Sequence, residues 1–275
     1  MKLASRFAYR SPVLRSNHPL SDDQIRTVAP SIFADTPHES RSERYSYIPT
    51  AAVLTELRKE GFQLFMVCQT RVRQEDRRDY TKHMLRLRHA SQIIGTEANE
   101  IILINSHDGT SSYQMLAGMF RFVCQNGLVC GDTFADVRVP HKGNVTDHVI
   151  EGAYEVLHGF EQVQDSRDAM RAIALDDGEA EVFARSALIL KYDEPGKTVP
   201  ITESQILRPR RFDDNHADLW STFNRVQENL VKGGLTGRSA NGRQQRTRPV
   251  QGIDQNVRLN RALWLLADGL RKLKA

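Results

Sequence analysis

The sequence has little of what most catalytic and secreted scaffolds depend on. Its three cysteines, Cys68, Cys124 and Cys130, are too few and too odd in number for a disulfide framework. Cys124 and Cys130 lack CxxC spacing, which excludes a zinc ribbon or a thioredoxin-like motif. Cys68 and Cys124 lie in apolar runs and are expected as buried, reduced thiols. No stretch approaches the roughly 18 apolar residues of a membrane-spanning helix. Met1 to Arg15 has scattered charges and no apolar segment of signal-peptide length, which predicts a cytoplasmic protein with no membrane partner. HExxH and HxH are absent, and no two histidines stand at helical i, i+4 spacing. His83, His89 and His107, with Asp108, are the histidines a sheet would bring closest, but no metal ligand set is expected from them. Ser106-His107-Asp108 cannot be a triad, because neighbouring strand residues point to opposite faces. Gly233 to Ser239 fails as a phosphate loop: Arg238 stands where lysine is needed, and a helix rather than a strand precedes it. No catalytic residue and no cofactor are expected.

Charge is present, and its placement says more than its sum. The net charge is only +4 (38 basic against 34 acidic residues). Arg71 to His89 holds seven basic and three acidic residues, and Lys232 to Arg248 holds five basic and none acidic. Val145 to Arg185 holds ten acidic residues against three arginines. Such polarity draws the basic segments to polyanions, while the acidic surface favours solubility.

The hydrophobic period divides the chain. Residues 1–44 carry four prolines and no period, so a partly extended N-terminal arm is expected, with the patch at Ala29 to Phe33 able to dock on the body. Thr50 opens a short helix ended by Gly61. Strands are predicted over Phe62–Val72, His83–His89, Ile101–Ser106 and Ser112–Cys124, with turns at Asp108-Gly109 and Asn126-Gly127 and a short edge strand at Val137–Pro140. After Gly143 the period becomes helical: Val145–Ile173, Glu179–Tyr192, one turn to Leu207, Asp213–Lys232 and Asp254–Leu273. The predicted class is α+β, an antiparallel β-meander with a short preceding helix, followed by several α-helices. The divisions are an arm (1–44), a core domain (45–232), a flexible basic loop (233–251) and a C-terminal helix packing on the core (252–275).

The strongest constellation is a set of arginines. If the strands 62–73 and 83–89 pair, strand parity places Gln69, Arg71, Arg73, Arg86 and Arg88 on one face, with Phe65 and Tyr80 close by. Guanidinium forks match phosphate oxygens, and their planes stack on unpaired bases. The alternative is that these arginines pair with the acidic helix at 145–170. The basic segment adds Lys232, Arg238, Arg243, Arg246 and Arg248.

Several segments together resemble the phage/plasmid-like family of domain of unknown function 932. They are Arg44-Tyr45, Ile48-Pro49-Thr50, Gly61-Phe62, Gln69 and Arg71, Lys82 to Arg88, Asn105 to Gly109 and Arg121 to Leu128. The resemblance covers roughly residues 25–235 and implies a setting on prophages, plasmids and other mobile elements, with no activity attached. A second likeness is architectural only: helix, meander, long helix is similar to the order in phage and eukaryotic single-strand annealing proteins. The function expected is nucleic-acid binding, single-stranded DNA favoured, through the arginine face and the basic loop. Two rivals are a metal-dependent nuclease and an interaction or anti-defence factor using the acidic helices. DNA versus RNA and oligomeric state stay open.

Overall fold

The computed structural model describes residues 12–42, 45, 47–72, 74–89, 91, 93–94, 97–122, 126–130, 137–138, 145–192 and 198–274. The class is α+β, as the periodicity predicts. The chain divides into two compact units, Met1–Val129 with Thr133–Phe160, and Cys130–Asp132 with Glu161–Ala275.

The first unit is a curled antiparallel sheet with helices on one face. Its strands are β1 (Val13–Arg15), β2 (Phe62–Gln69), β3 (His83–His89), β4 (Ile93–Ile94), β5 (Glu97–Asn105), β6 (Gln114–Arg121), β7 (Asn126–Val129) and β8 (Val137–Arg138). The order is β1-β2-β3-β5-β6-β7, with β4 on β5 and β8 on β6. Val13 to Arg15 and Asp22 to Val28, expected as part of a partly extended arm, are built into this unit together with the Ala29 to Phe33 patch that was expected to dock. β1 pairs with β2, Val13 opposite Cys68. α1 (Asp22–Val28) is capped by a reciprocal box between Ser21 and Gln24 and buries Ile25. Leu20, Ile25, Ala29 and Ile32 join the core and supply the burial that holds the segment in place.

Leu64, Val67, Leu85, Leu87, Ile101, Leu103, Met115 and Ala117 form the helix-covered face. α2 (Thr50–Lys59) lays Val53, Leu54 and Leu57 on it. α3 (Val145–Ala172) adds Val149, Ala153, Val156 and Phe160, one stripe at helical spacing. A β-bulge at Phe65 breaks the expected parity of β2. Leu64 pairs with Leu87, but Met66 pairs with Arg86 and Val67 with Leu85. One extra residue exchanges the faces, so Val67 and Gln69 point to the helices, and Met66 and Cys68 share the other face with Arg86.

That other face is concave. Arg86 on β3 reaches across β5 and β6 to donate to the Leu128 carbonyl on β7 at 3.2 Å. Gly118 and Gly127 make the curl possible. A Cβ at Gly118 would lie 2.7 Å from Ile102 Cδ1, and one at Gly127 would overlap the Arg86 guanidinium. Asn126-Gly127, expected as a turn, therefore opens β7, with Gly127 opposite Phe120.

The second unit is helical. α4 (Asp177–Tyr192), α5 (Glu203–Leu207), α6 (Leu219–Lys232) and α7 (Ile253–Lys274) surround an aromatic cluster. Trp264 meets Trp220 edge-on at 6.4 Å and Phe223 at 6.1 Å. The basic segment, expected as a loop without structure, is a hairpin of β9 (Thr236–Arg238) and β10 (Gln244–Arg246). It is held by backbone hydrogen bonds rather than by a core. Gly234 donates to the Thr247 carbonyl at 2.8 Å, and Arg238 to the Pro200 carbonyl at 2.9 Å. Gly242, at φ 73°, closes the turn. Among the described residues no helix is long and apolar enough to cross a membrane.

Candidate nucleic-acid interface and the buried arginines

The sequence nominates two basic regions, and they have opposite fates. On the concave face, Arg86 and Arg88 are each 2 % exposed and share one buried carboxylate. Arg86 Nη1 donates to Glu100 Oε2 and Arg88 Nε to Glu100 Oε1, both at 2.9 Å. The counter-charge comes from β5 beside them, not from the acidic helix weighed as a partner. The Arg88 guanidinium lies over the rings of Phe120 at 4.2 Å and Phe65 at 4.4 Å. Gln69 is on the opposite face, buried, accepting from the Ser31 backbone at 3.1 Å and donating to the Arg78 carbonyl at 2.8 Å. Arg71 is exposed beyond the end of β2, and Arg73 lies outside the described residues. The five residues therefore do not form one outward face.

Gln69 belongs to a buried polar cluster on the helix-covered side. Thr50 Oγ1 lies 2.9 Å from His83 Nε2 and 3.5 Å from His107 Nε2, and accepts from Asn105 Nδ2 at 3.0 Å. Ser31 Oγ stands 2.9 Å from His83 Nδ1. Burial lowers the His83 pKa to about 3, with the neighbouring His107 adding to the effect, and burial lowers His107 to about 4. Both rings are therefore neutral near pH 7. His89 instead bonds Ser91 at 2.6 Å, and Asp108 caps its own turn by accepting from the Thr110 backbone at 3.0 Å. Among the described residues no three His, Cys, Asp or Glu are grouped to hold a metal ion. Cys68 is buried, its thiol pushed up to about 12 by desolvation; Cys130 is also buried, and Cys124 lies outside the described residues.

In the second unit the basic hairpin faces solvent. Lys232 is tied to Glu228 at 2.8 Å. Arg238, Arg243, Arg246 and Arg248 are exposed. None of the four forms an ion pair among the described residues. Beside the hairpin runs a groove of about 810 Å³ between the end of α4, the β10 strand with its extension, and α7. Lys191, Arg246, Arg248 and Arg258 line it, and no described lining residue is acidic. Lys191 Nζ donates to the Leu230 carbonyl and stands 5.1 Å over the Tyr192 ring. Burial lowers the lysine to about 8. The Tyr192 hydroxyl is buried without a hydrogen-bond partner. Arg258, Lys191 and Tyr192 escape composition-based reasoning, because each is a single residue in an amphipathic helix. Only the fold assembles them beside the hairpin.

The chain matches the domain of unknown function (DUF932) over residues 37–264. It is 56 % identical over 269 residues to UPF0380 protein YfjQ of Escherichia coli K12, covering 98 % of this chain and 97 % of that protein. The same identity and coverages hold for UPF0380 protein YafZ of the same strain. No solved structure matches. Match length and identity together place the chain in a family: it belongs to the DUF932 family.

Proposed function

We propose that the protein binds single-stranded nucleic acid along the groove and hairpin of the second unit, without bond chemistry. The observation that carries this reading is a groove lined by four cations and no described carboxylate, flanked by exposed arginines that have no internal ion partner. Such groups stay hydrated and counterion-covered until a polyanion displaces the ions, which is the driving force for phosphate binding. A preference for single strands rests on exposed aromatic surface. Phe212 is 87 % exposed, two residues from Arg210, whose guanidinium holds the Gly233 carbonyl at the foot of the hairpin. Unpaired bases stack on such rings; paired bases do not. The phage and plasmid setting implied by the family resemblance suits a protein of this kind.

Fluorescence anisotropy with a labelled single strand and a duplex, across a salt series, tests the proposal. Replacing Arg238, Arg243, Arg246 and Arg248 with Ala should flatten the logarithmic salt slope by about 3 if all four touch phosphate. Phe212→Ala should weaken single-strand binding more than duplex binding. Affinity should also fall as pH rises through about 8, where Lys191 loses its proton. An unchanged slope in the quadruple variant would remove the hairpin from the interface.

A further inference from the structure

The concave face of the sheet holds two guanidiniums against one carboxylate, so one buried positive charge lacks a counter-charge among the described residues. A buried charge is strongly unfavourable unless something compensates it. Each guanidinium keeps one buried N–H without a hydrogen-bond partner, Arg86 Nε and Arg88 Nη1, and of the two it is Arg88 that borders a cavity. Its Nε is engaged with Glu100, and its Nη1 is buried with no hydrogen-bond partner. Phe65, Phe120 and Phe122 stack about the guanidinium at 4.4, 4.2 and 5.2 Å. Rings satisfy the faces of the ion and leave its N–H edge wanting an acceptor.

A cavity of about 110 Å³ adjoins Arg88, lined also by Arg15, Ser16, Asn17, Phe65, Met66 and Phe120. Arg15 and Asn17 are exposed at its mouth, and no described lining residue carries a carboxylate. The volume holds several water-sized groups and is far smaller than the groove of the second unit. We propose that this cavity is a binding site for a small oxyanion, the carboxylate or phosphate group of a small molecule. Its oxygens accept from the free edge of Arg88, and Arg15 supplies a second cation at the entrance. The guanidinium fork fits either oxyanion, and the flanking rings strengthen the attraction by excluding water. The site is separate from the nucleic-acid reading and does not depend on it.

Isothermal titration calorimetry at low ionic strength, with inorganic phosphate in one series and acetate in another, tests the site. One saturable site per chain is expected, with a melting temperature that climbs with anion concentration. The tighter of the two anions identifies the source of the oxyanion. Asn17→Asp puts a negative charge at the exposed mouth. It should weaken binding at least tenfold without lowering the anion-free melting temperature. Arg88→Met should abolish binding, and if it does not fold, Asn17→Asp carries the test. The quadruple hairpin variant should bind the anion as the parent does; if it does not, the anion sits in the groove and the proposal fails. Absence of a saturable site for either anion, or equal affinity in the parent and Asn17→Asp, would also overturn it.

Discussion

Glu100 ties two strands of the sheet together as the shared counter-charge of two buried arginines on β3. Removing one partner of a buried ionic group costs about 3–5 kcal/mol, since the remaining charge stays in a medium that does not solvate it. Glu100→Gln is expected to destabilise the protein by that order, read as a lower denaturant midpoint. Replacing the whole triad with Met should cost far less, because no orphan charge is left. The histidine cluster gives the residue scale its pH dependence. His83 and His107 are held neutral in the folded state, with pKa values lowered to about 3 and 4, whereas the unfolded chain takes up these protons near 6.5. Below 6.5 the unfolded state therefore binds more protons, and stability falls as pH drops toward 4. Each histidine contributes a slope of up to about 1.4 kcal/mol per pH unit. Urea unfolding between pH 7 and 4 checks this, and a double His83→Gln, His107→Gln variant should flatten the dependence. None of these partnerships was visible at the level of composition. A run of arginines looks the same in sequence whether it faces water or a buried glutamate, and Glu100 is 12 residues from Arg88.

At the scale of elements the sequence is more informative. β3 lies at the predicted His83–His89, and α2 and α3 fall within a residue or two of their predicted ends, because each has a clear period and a start signal. Strand parity in β2 was not legible. Phe62-Gln63-Leu64-Phe65-Met66-Val67-Cys68 is nearly all apolar because both sheet faces are buried, and a continuous run does not reveal which residue bulges. α1 did leave a trace, the Ser21-x-x-Gln24 capping box, which the prolines around it obscured. The hairpin β9–β10 left none beyond its glycines, since both of its faces are polar and its hydrogen bonds are main-chain. Gly237 is the element's weak point: a Cβ there would overlap the Pro200 carbonyl oxygen. Gly237→Ala is expected to lift the hairpin from Pro200 and release the 2.9 Å bond donated by the Arg238 amide. One such bond contributes about 1 kcal/mol, so hydrogen exchange at Arg238 should speed up roughly five- to tenfold. Exchange at parental rates would mean that the segment accommodates the methyl group by shifting Pro200.

At the scale of the whole molecule, two arginine-bearing segments of similar charge do different physical work. The net charge of +4 treats them alike. A polyanion does not, because it meets only the potential that reaches solvent, and a guanidinium buried inside the sheet contributes little there. This separates the two places where polyanion binding was expected from the sequence, the sheet face and the basic segment. A variant with Arg246 and Arg248 changed to Ala loses two exposed positive charges. A variant with Arg86, Glu100 and Arg88 changed to Met loses two buried positive charges and one buried negative charge. On an immobilised polyanion such as heparin, the first is expected to elute at clearly lower salt than the parent. The second should elute with the parent, provided circular dichroism shows that it keeps its fold. Equal retention of the first variant and the parent would show that the groove does not meet the polyanion. Early elution of the second alone would show that polyanions reach the concave face, and nucleic-acid binding would then have to be sought around Arg88 instead of along the hairpin.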